Sequence, residues 1–289
     1  MNSRSSTTDT GTLAKWGQFC RSHPFTAIAG VILIVLVLAA LLAPYLGTVD
    51  PRKINILPRM RPPSPQAWFG SDQLGRDVWT RTLYGARISL MVGLLVALMS
   101  ISLGLLIGMI SGYMRRLDAV IMRVMDGLMS IPGILLAIGL VSVSGASFIT
   151  VTIAITVPEI PRVVRLVRAI VLSVREEPYV EAAIAVGTKT PLILWRHVLP
   201  NCVPPLIVQA TYVAASAMLT EALLSFLGAG TPPEIPSWGN MMAEGRIVFP
   251  IAPWIVLIPG CTLALAILAV NVLGDGLRDR LDPKIAKRM

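Results

Sequence analysis

Charge is scarce in this 289-residue chain: charged residues make up 14% of it, against about a quarter in an ordinary soluble domain. Histidine occurs only at His23 and His197, too few for a His-rich metal site or a His-dependent triad. Cys20, Cys202 and Cys261 are scattered and odd in number. They fit neither a disulfide framework nor a CxxC metal site and read as packing residues. No Gly-x-x-x-x-Gly-Lys-Ser/Thr phosphate loop occurs, which excludes a P-loop ATPase. Low-complexity tracts, heptad series and repeats of solenoid length are also missing. Intrinsic catalysis has little to work with.

What the chain has instead is apolar length. Hydrophobic residues reach 54% and mean hydropathy is +0.72, so the expected fold class is an all-α polytopic membrane protein. Runs long enough to cross a hydrocarbon core lie at 25–46, 88–112, 202–227 and 253–273. Two further spans are expected at 118–142, with Asp118, Arg123 and Asp126 in its first turns, and at 146–172, interrupted by Pro158, Glu159, Pro161 and Arg162. Six transmembrane helices put both termini on one side. A cleaved signal carries an apolar core of roughly 7–15 residues, so the longer run at 25–46 reads as an uncleaved anchor.

The net charge of +9 and pI near 10 follow from topology rather than from nucleic-acid binding. With cytoplasmic termini, 17 of the 25 Lys and Arg residues fall on the cytoplasmic side. Seven of the others lie between Arg52 and Arg87, a local exception. The expected organisation is a cytoplasmic segment 1–24, a first helix 25–46, an external loop 47–87, a five-helix unit 88–275 with a cytoplasmic loop at about 175–201, and a cytoplasmic tail 276–289.

Several polar residues stand out against this background. Gly104, Gly108 and Gly112 share one face of the second span and permit close helix contact, although glycine is common in membrane helices generally. Glu221 sits among apolar residues, either contacting substrate or hydrogen-bonded in packing near the external interface. Glu159 is either exposed to a pathway at a broken helix or paired with Arg162 at i, i+3. Asp118 and Asp126 share a helical face beside Arg115, Arg116 and Arg123, as a proton relay or an interfacial ion pair. Asp72, Arg76 and Asp77 could receive an external protein or hold a turn between Gly70 and Gly75.

One stretch is too polar to span. Residues 181–201 carry Lys189, Arg196 and His197 and are broken by Pro191 and Pro200. The small side chains of Ala182 and Ala183 let another protein approach closely, Gly187 permits a turn, and Glu181 near a helix start suits the macrodipole. The prolines are expected to end one short helix and start the next as a rigid elbow. The pattern is Glu181-Ala182-Ala183, three residues, Gly187, nine residues, then His197-Val198-Leu199-Pro200. It resembles the EAA motif of ABC importer permeases, departing from it at His197 where the general pattern has Ile. Arg196 and His197 before the Leu-Pro-Asn ending resemble the peptide-importer branch.

Three further segments extend the resemblance to the C-type permeases of dipeptide and oligopeptide importers. They are Phe69 to Asp77 with Tyr84 to Leu90, Glu221 to Gly228 with Pro232-Pro233 and Ser237 to Met242, and Asn271 to Asp279 with Leu281-Asp282-Pro283. Phe69 and Ser71 depart from the usual Leu-Gly-Thr-Asp start.

The resemblance implies a type I ABC importer fold with cytoplasmic EAA coupling helices in the bacterial inner membrane. It implies a heterodimer with a B-type permease, two ATPase domains that hold ATP and Mg, and an external substrate-binding protein. This chain itself would be non-catalytic and carry no cofactor. Glu181, Ala182, Ala183, Gly187, Arg196, His197, Leu199 and Pro200 would couple the ATPases to the pathway. The cargo implied is dipeptides or short oligopeptides, with nickel complexes or haem as alternatives. A stand-alone proton-coupled transporter using Asp118, Asp126, Glu159 and Glu221 is the competing class.

Overall fold

The computed structural model describes residues 24–46, 49–54, 59–65 and 67–281. Nearly all of the segment expected at 1–24, and residues 282–289 of the expected tail, lie outside the described residues. Among the described residues the structure is helical, with only two isolated β-bridges near the first loop.

Helix α1 (Pro24–Leu41) is apolar all round and leaves Phe25, Ile28, Val31, Ile34 and Leu38 exposed, as a helix facing lipid does. It stops five residues short of the expected 46, where Pro44 cannot donate to the preceding turn, and continues after a break as α2 (Ala43–Leu46). Helix α3 (Val78–Tyr113) starts ten residues before the expected 88. Its 36 residues make a rod of about 54 Å, far longer than the ~30 Å hydrocarbon core. The polar first turns therefore project beyond the membrane. Asp77 caps them, accepting from the Thr80 N–H at 2.8 Å and the Thr80 hydroxyl at 2.6 Å.

The expected span 118–142 is not one straight helix. It divides into α4 (Arg115–Ser130) and α5 (Gly133–Ser144), bent by 89° at Ile131 and Pro132. The residue before a proline is pushed out of the helical region, and Ile131 is extended at ψ 130°. Helix α4 is strongly amphipathic, and the 12 residues of α5 reach only about 18 Å. The next span is the reverse case. Helix α6 (Phe148–Arg175) runs unbroken through Pro158 and Pro161, which the sequence suggested as interruptions.

Beyond α6 come α7 (Pro178–Ala185), α8 (Thr190–Ile193), a π turn (Leu194–Val198) and α9 (Leu199–Phe226). Helix α10 (Trp238–Gly245) lies over the first-loop end of the molecule, and α11 (Trp254–Leu281) closes the bundle. Four helical stretches among the described residues are long and apolar enough to cross a membrane, or five if the bent pair counts as one. The six spans expected from sequence are reached only by adding α6, whose second half carries Arg162, Arg165, Arg168 and Arg175.

The core is organised around α3 and α6, the most extensively packed pair. Gly104, Gly108 and Gly112 of α3 face Val163, Val167 and Val171 of α6, one valine per glycine, and all three valines are fully buried. A Cβ added at these glycines would stand 2.5, 2.7 and 2.6 Å from the facing valine Cβ atoms. The glycine face read from the sequence is thus a backbone-close seam. Gly108→Leu, which also meets the Val164 carbonyl at 2.9 Å, is expected to destabilise the chain by about 1–3 kcal/mol. Gly139→Leu, with nothing within 4 Å, should stay within ~1 kcal/mol of the parent. Denaturant titration in mixed micelles measures both.

Candidate functional site

Residues 176–201 form a loop with a buried root and an apolar tip. Val180, Ile193 and Val198 are fully or almost fully buried and belong to the same core cluster as Val163, Val167 and Val171. Tyr179, Ile184, Val186, Leu192 and Trp195 are exposed, Val186 by 86% and Trp195 by 71%.

The first half of the loop is α7, opened by Pro178 at its first turn and carrying Glu181 near its positive end. Glu181 and Ala182 are exposed, and Ala183 is half-buried. The helix ends in a Schellman turn: the Thr188 N–H donates to the Ala183 carbonyl at 3.0 Å and the Gly187 N–H to that of Ile184 at 2.9 Å. Gly187 stands at φ +84° with open space around it, so the turn requires a residue free to adopt the left-handed conformation.

The second half departs from the expected elbow. Pro191 starts α8, but Pro200 breaks nothing, because the chain is helical from Thr190 to Phe226. The π turn lies immediately ahead of Pro200, where the wider winding relieves the clash between a proline ring and the carbonyl four residues back. Arg196 is exposed, His197 and Leu199 are half-buried, and Pro200 is exposed. The two halves meet where the Tyr179 and His197 rings lie 5.8 Å apart. Asn201 Nδ2 donates to the His197 carbonyl at 2.6 Å and to the Tyr179 hydroxyl at 3.4 Å. Tyr179, Val186 and Trp195 were not singled out from sequence. Spacing alone does not show that they face one another or solvent.

At the opposite end, Asp72, Arg76 and Asp77 are engaged within the chain. Asp72, 2% exposed, accepts from the Leu74 and Arg76 N–H groups at 2.8 and 2.9 Å, from Arg76 Nε at 2.6 Å and from Arg81 Nη1 at 2.5 Å. Glu244 on α10 accepts from Arg76 Nη2 at 2.5 Å and Arg81 Nη1 at 2.7 Å, and its carbonyl receives the Gln73 amide. The cluster clamps the first loop onto α10. Asp77 caps α3. Sequence reasoning missed Arg81 and Glu244, 163 residues apart, for which no local spacing exists.

The carboxylates on α4, α6 and α9 separate into different roles. Glu221 is fully buried; its Oε1 accepts from Ser225 at 2.9 Å, Ser237 at 2.8 Å and Thr231 at 3.5 Å. That is the packing role, tying α9 to the segment before α10. Asp118 pairs with Arg168 through two 2.6 Å bonds and Asp126 with Arg165 at 2.6 Å. The expected pairing with the arginines of their own helix is corrected: the bend lays α4 across α6, so the partners come from there. Glu159 pairs with Arg162 at 3.3 Å, as its spacing predicts, and accepts from Ser216 at 3.2 Å. It lines a cavity of about 360 Å³ at the α4–α5 bend.

Removing one partner from a buried ion cluster costs about 3–5 kcal/mol. Arg81→Met should fall toward the lower end of that range, because Arg76 still faces Asp72. Asp126→Asn breaks a pair that is 45% and 57% exposed, and should cost less than ~1 kcal/mol. Denaturant titration of the two variants checks the contrast.

Comparison with known proteins agrees with this architecture. Residues 100–287 match the family model described as binding-protein-dependent transport system inner membrane component. A probable peptide ABC transporter permease, y4tQ of Sinorhizobium fredii, is 54% identical over 94% of this chain and 93% of its own length. The dipeptide transport system permease DppC of Alkalihalophilus pseudofirmus is 43% identical over 90% of this chain and 86% of its own. The oligopeptide transport system permease OppC of Bacillus subtilis is 37% identical over 92% and 88%. Among solved structures, an inward-facing MetNI methionine ABC transporter chain superposes with a TM-score of 0.57 at 18% identity, covering 70% of this chain and 96% of that one. It shows the shared fold. The segments around the glycine seam, the bent pair and the rooted loop are therefore those of a type I ABC importer permease, and the chain belongs to the binding-protein-dependent transport inner membrane family, in its DppC/OppC branch.

Proposed function

We propose that this chain is one permease subunit of an ATP-driven importer that carries dipeptides or short oligopeptides across the bacterial inner membrane. The observation that carries the reading is the loop at 176–201, with its root in the core and its apolar tip exposed. In this reading Glu181, Ala182, Ala183 and Gly187 form the first coupling element, and Arg196, His197, Leu199 and Pro200 the second. Ile184, Val186 and Trp195 enter a groove on a partner ATPase. The peptide cargo rests on the names carried by these relatives, a peptide, a dipeptide and an oligopeptide permease, rather than nickel complexes or haem.

The remaining parts of the complex follow from the same assignment. A B-type permease completes the pathway, two ATPase domains hold ATP and Mg, and an external binding protein delivers cargo. The chain itself is non-catalytic and needs no cofactor. Six spans, with α6 included, put both termini and the coupling loop in the cytoplasm and residues 47–87 outside. Asp72, Arg76 and Asp77 serve the binding protein through the shape of the turn they hold rather than as free charges. The proton-coupled alternative loses its relay: Asp118, Asp126 and Glu159 are bonded to arginines, and Glu221 is sealed.

The test is reconstitution of the assembled transporter with its binding protein. Gly187→Arg is expected to lower binding-protein-stimulated ATP hydrolysis and peptide uptake by ~tenfold or more while the chain still inserts, because a residue with a Cβ resists φ +84°. Gly187→Asn, which tolerates the left-handed conformation, should restore most of both. Wild-type coupling in Gly187→Arg would show that the loop does not dock.

A further inference from the structure

Glu159 is an unusual carboxylate. It lies at the twelfth position of the 28-residue α6, 7% exposed, and its bonds are long: 3.3 and 3.4 Å from Arg162 Nη1 and 3.2 Å from Ser216 Oγ. Charge-assisted bonds to a carboxylate usually close to about 2.7–2.9 Å. A buried carboxylate so loosely held has given up water without gaining a tight partner. Arg162 is not locked either, since its side chain is 48% exposed. The pair faces a cavity of about 360 Å³ at the 89° bend between α4 and α5, within the ~300–1,000 Å³ typical of small-molecule sites.

We propose that this cavity is a transit site for zwitterionic short peptides, with Glu159 taking the α-ammonium and Arg162 the terminal carboxylate. The proposal deepens the peptide-import reading and rests on it. Charge balance favours it: a neutral cavity with one loose internal ion pair receives a neutral ligand and ends with two closer pairs. A primary ammonium is compact and can approach Glu159 more closely than the guanidinium does, while Ser216 keeps its bond to the second lone pair. The two side chains stem from points about 4.5 Å apart along α6, and the long Arg162 arm can extend to the far end of a two-residue ligand. Ile155, Leu223 and Ile134 supply an apolar wall. Apolar walls discriminate side chains weakly, so the site reads the two termini and tolerates what lies between.

Photolabelling of the assembled transporter tests this, with saturating binding protein and alanyl-photoleucine, a dipeptide carrying a diazirine, as the probe. Uptake is measured on the same preparation. Label is expected in residues 128–134, 155–162 and 216–223 of this chain. The N-acetyl dipeptide should label these segments ~tenfold less, the size of one charge-assisted hydrogen bond. Glu159→Gln should bring labelling by the free dipeptide down to that level. Arg162→Gln, at an exposed side chain, tests the other half independently: labelling by the free dipeptide falls, while labelling by its C-terminal amide is unchanged. Label outside these segments while uptake proceeds, or equal labelling of the parent and both variants, would overturn the site and leave peptide import standing. An assembled transporter that takes up no peptide would overturn the import reading and this site with it.

Discussion

The close approach of α3 and α6 is what the rest of the molecule depends on. Two helices in lipid gain little from excluding water, since lipid is as apolar as leucine, so they associate by packing and by interhelical bonds. Three glycines on α3 let three valines of α6 sit against backbone. The seam fixes α6, and α6 carries Glu159 and leads, after a two-residue break, into α7. Val174, Val180, Ile193 and Val198 continue the same buried cluster into the loop at 176–201. A displacement at the loop tip therefore has a packed route, through side chains that cannot compress, to the cavity at the bend.

Electrostatics reinforces this arrangement by joining elements that packing alone would leave free. Arg165 and Arg168 lie on α6 and hold Asp126 and Asp118 of α4, so the amphipathic helix before the bend is tied to the same rod. At the first-loop end, Asp72, Arg76, Arg81 and Glu244 tie the loop to α10, and Glu221 with its three hydroxyl partners ties α9 to the segment ahead of α10. In each of these contacts a charge near the hydrocarbon is met by a group from another element, which offsets the cost of placing it there. Glu159 and Arg162 are the exception in tightness, with both partners on one helix and a long bond between them.

Much of this was legible in the sequence, for identifiable reasons. The glycine face, the left-handed turn at Gly187 and the Glu159–Arg162 pair depend on local spacing, which a helix converts directly into geometry. The bend at Pro132 was not foreseen, and its consequence, the pairing of Asp118 and Asp126 with α6, could not be read from α4 alone. Prolines misled in both directions. Pro132 marks a sharp break, whereas Pro158, Pro161 and Pro200 lie in continuous helix, where neighbouring packing and a π turn absorb them. The Arg81–Glu244 contact joins residues far apart in the chain and has no periodic signature.

The shared buried cluster makes the loop at 176–201 and α6 one body. Distances between spin labels at Val186, on the exposed loop tip, and Ile149, near the far end of α6 and 68% exposed, test it most directly in the assembled transporter. A rigid loop and helix give the same Val186–Ile149 distance distribution with and without bound ATP, while the distance from Val186 to a label on the partner permease changes. A nucleotide-dependent change in the Val186–Ile149 distance would mean that the loop swings on α6, and the packed route from loop to cavity would not be the path of coupling.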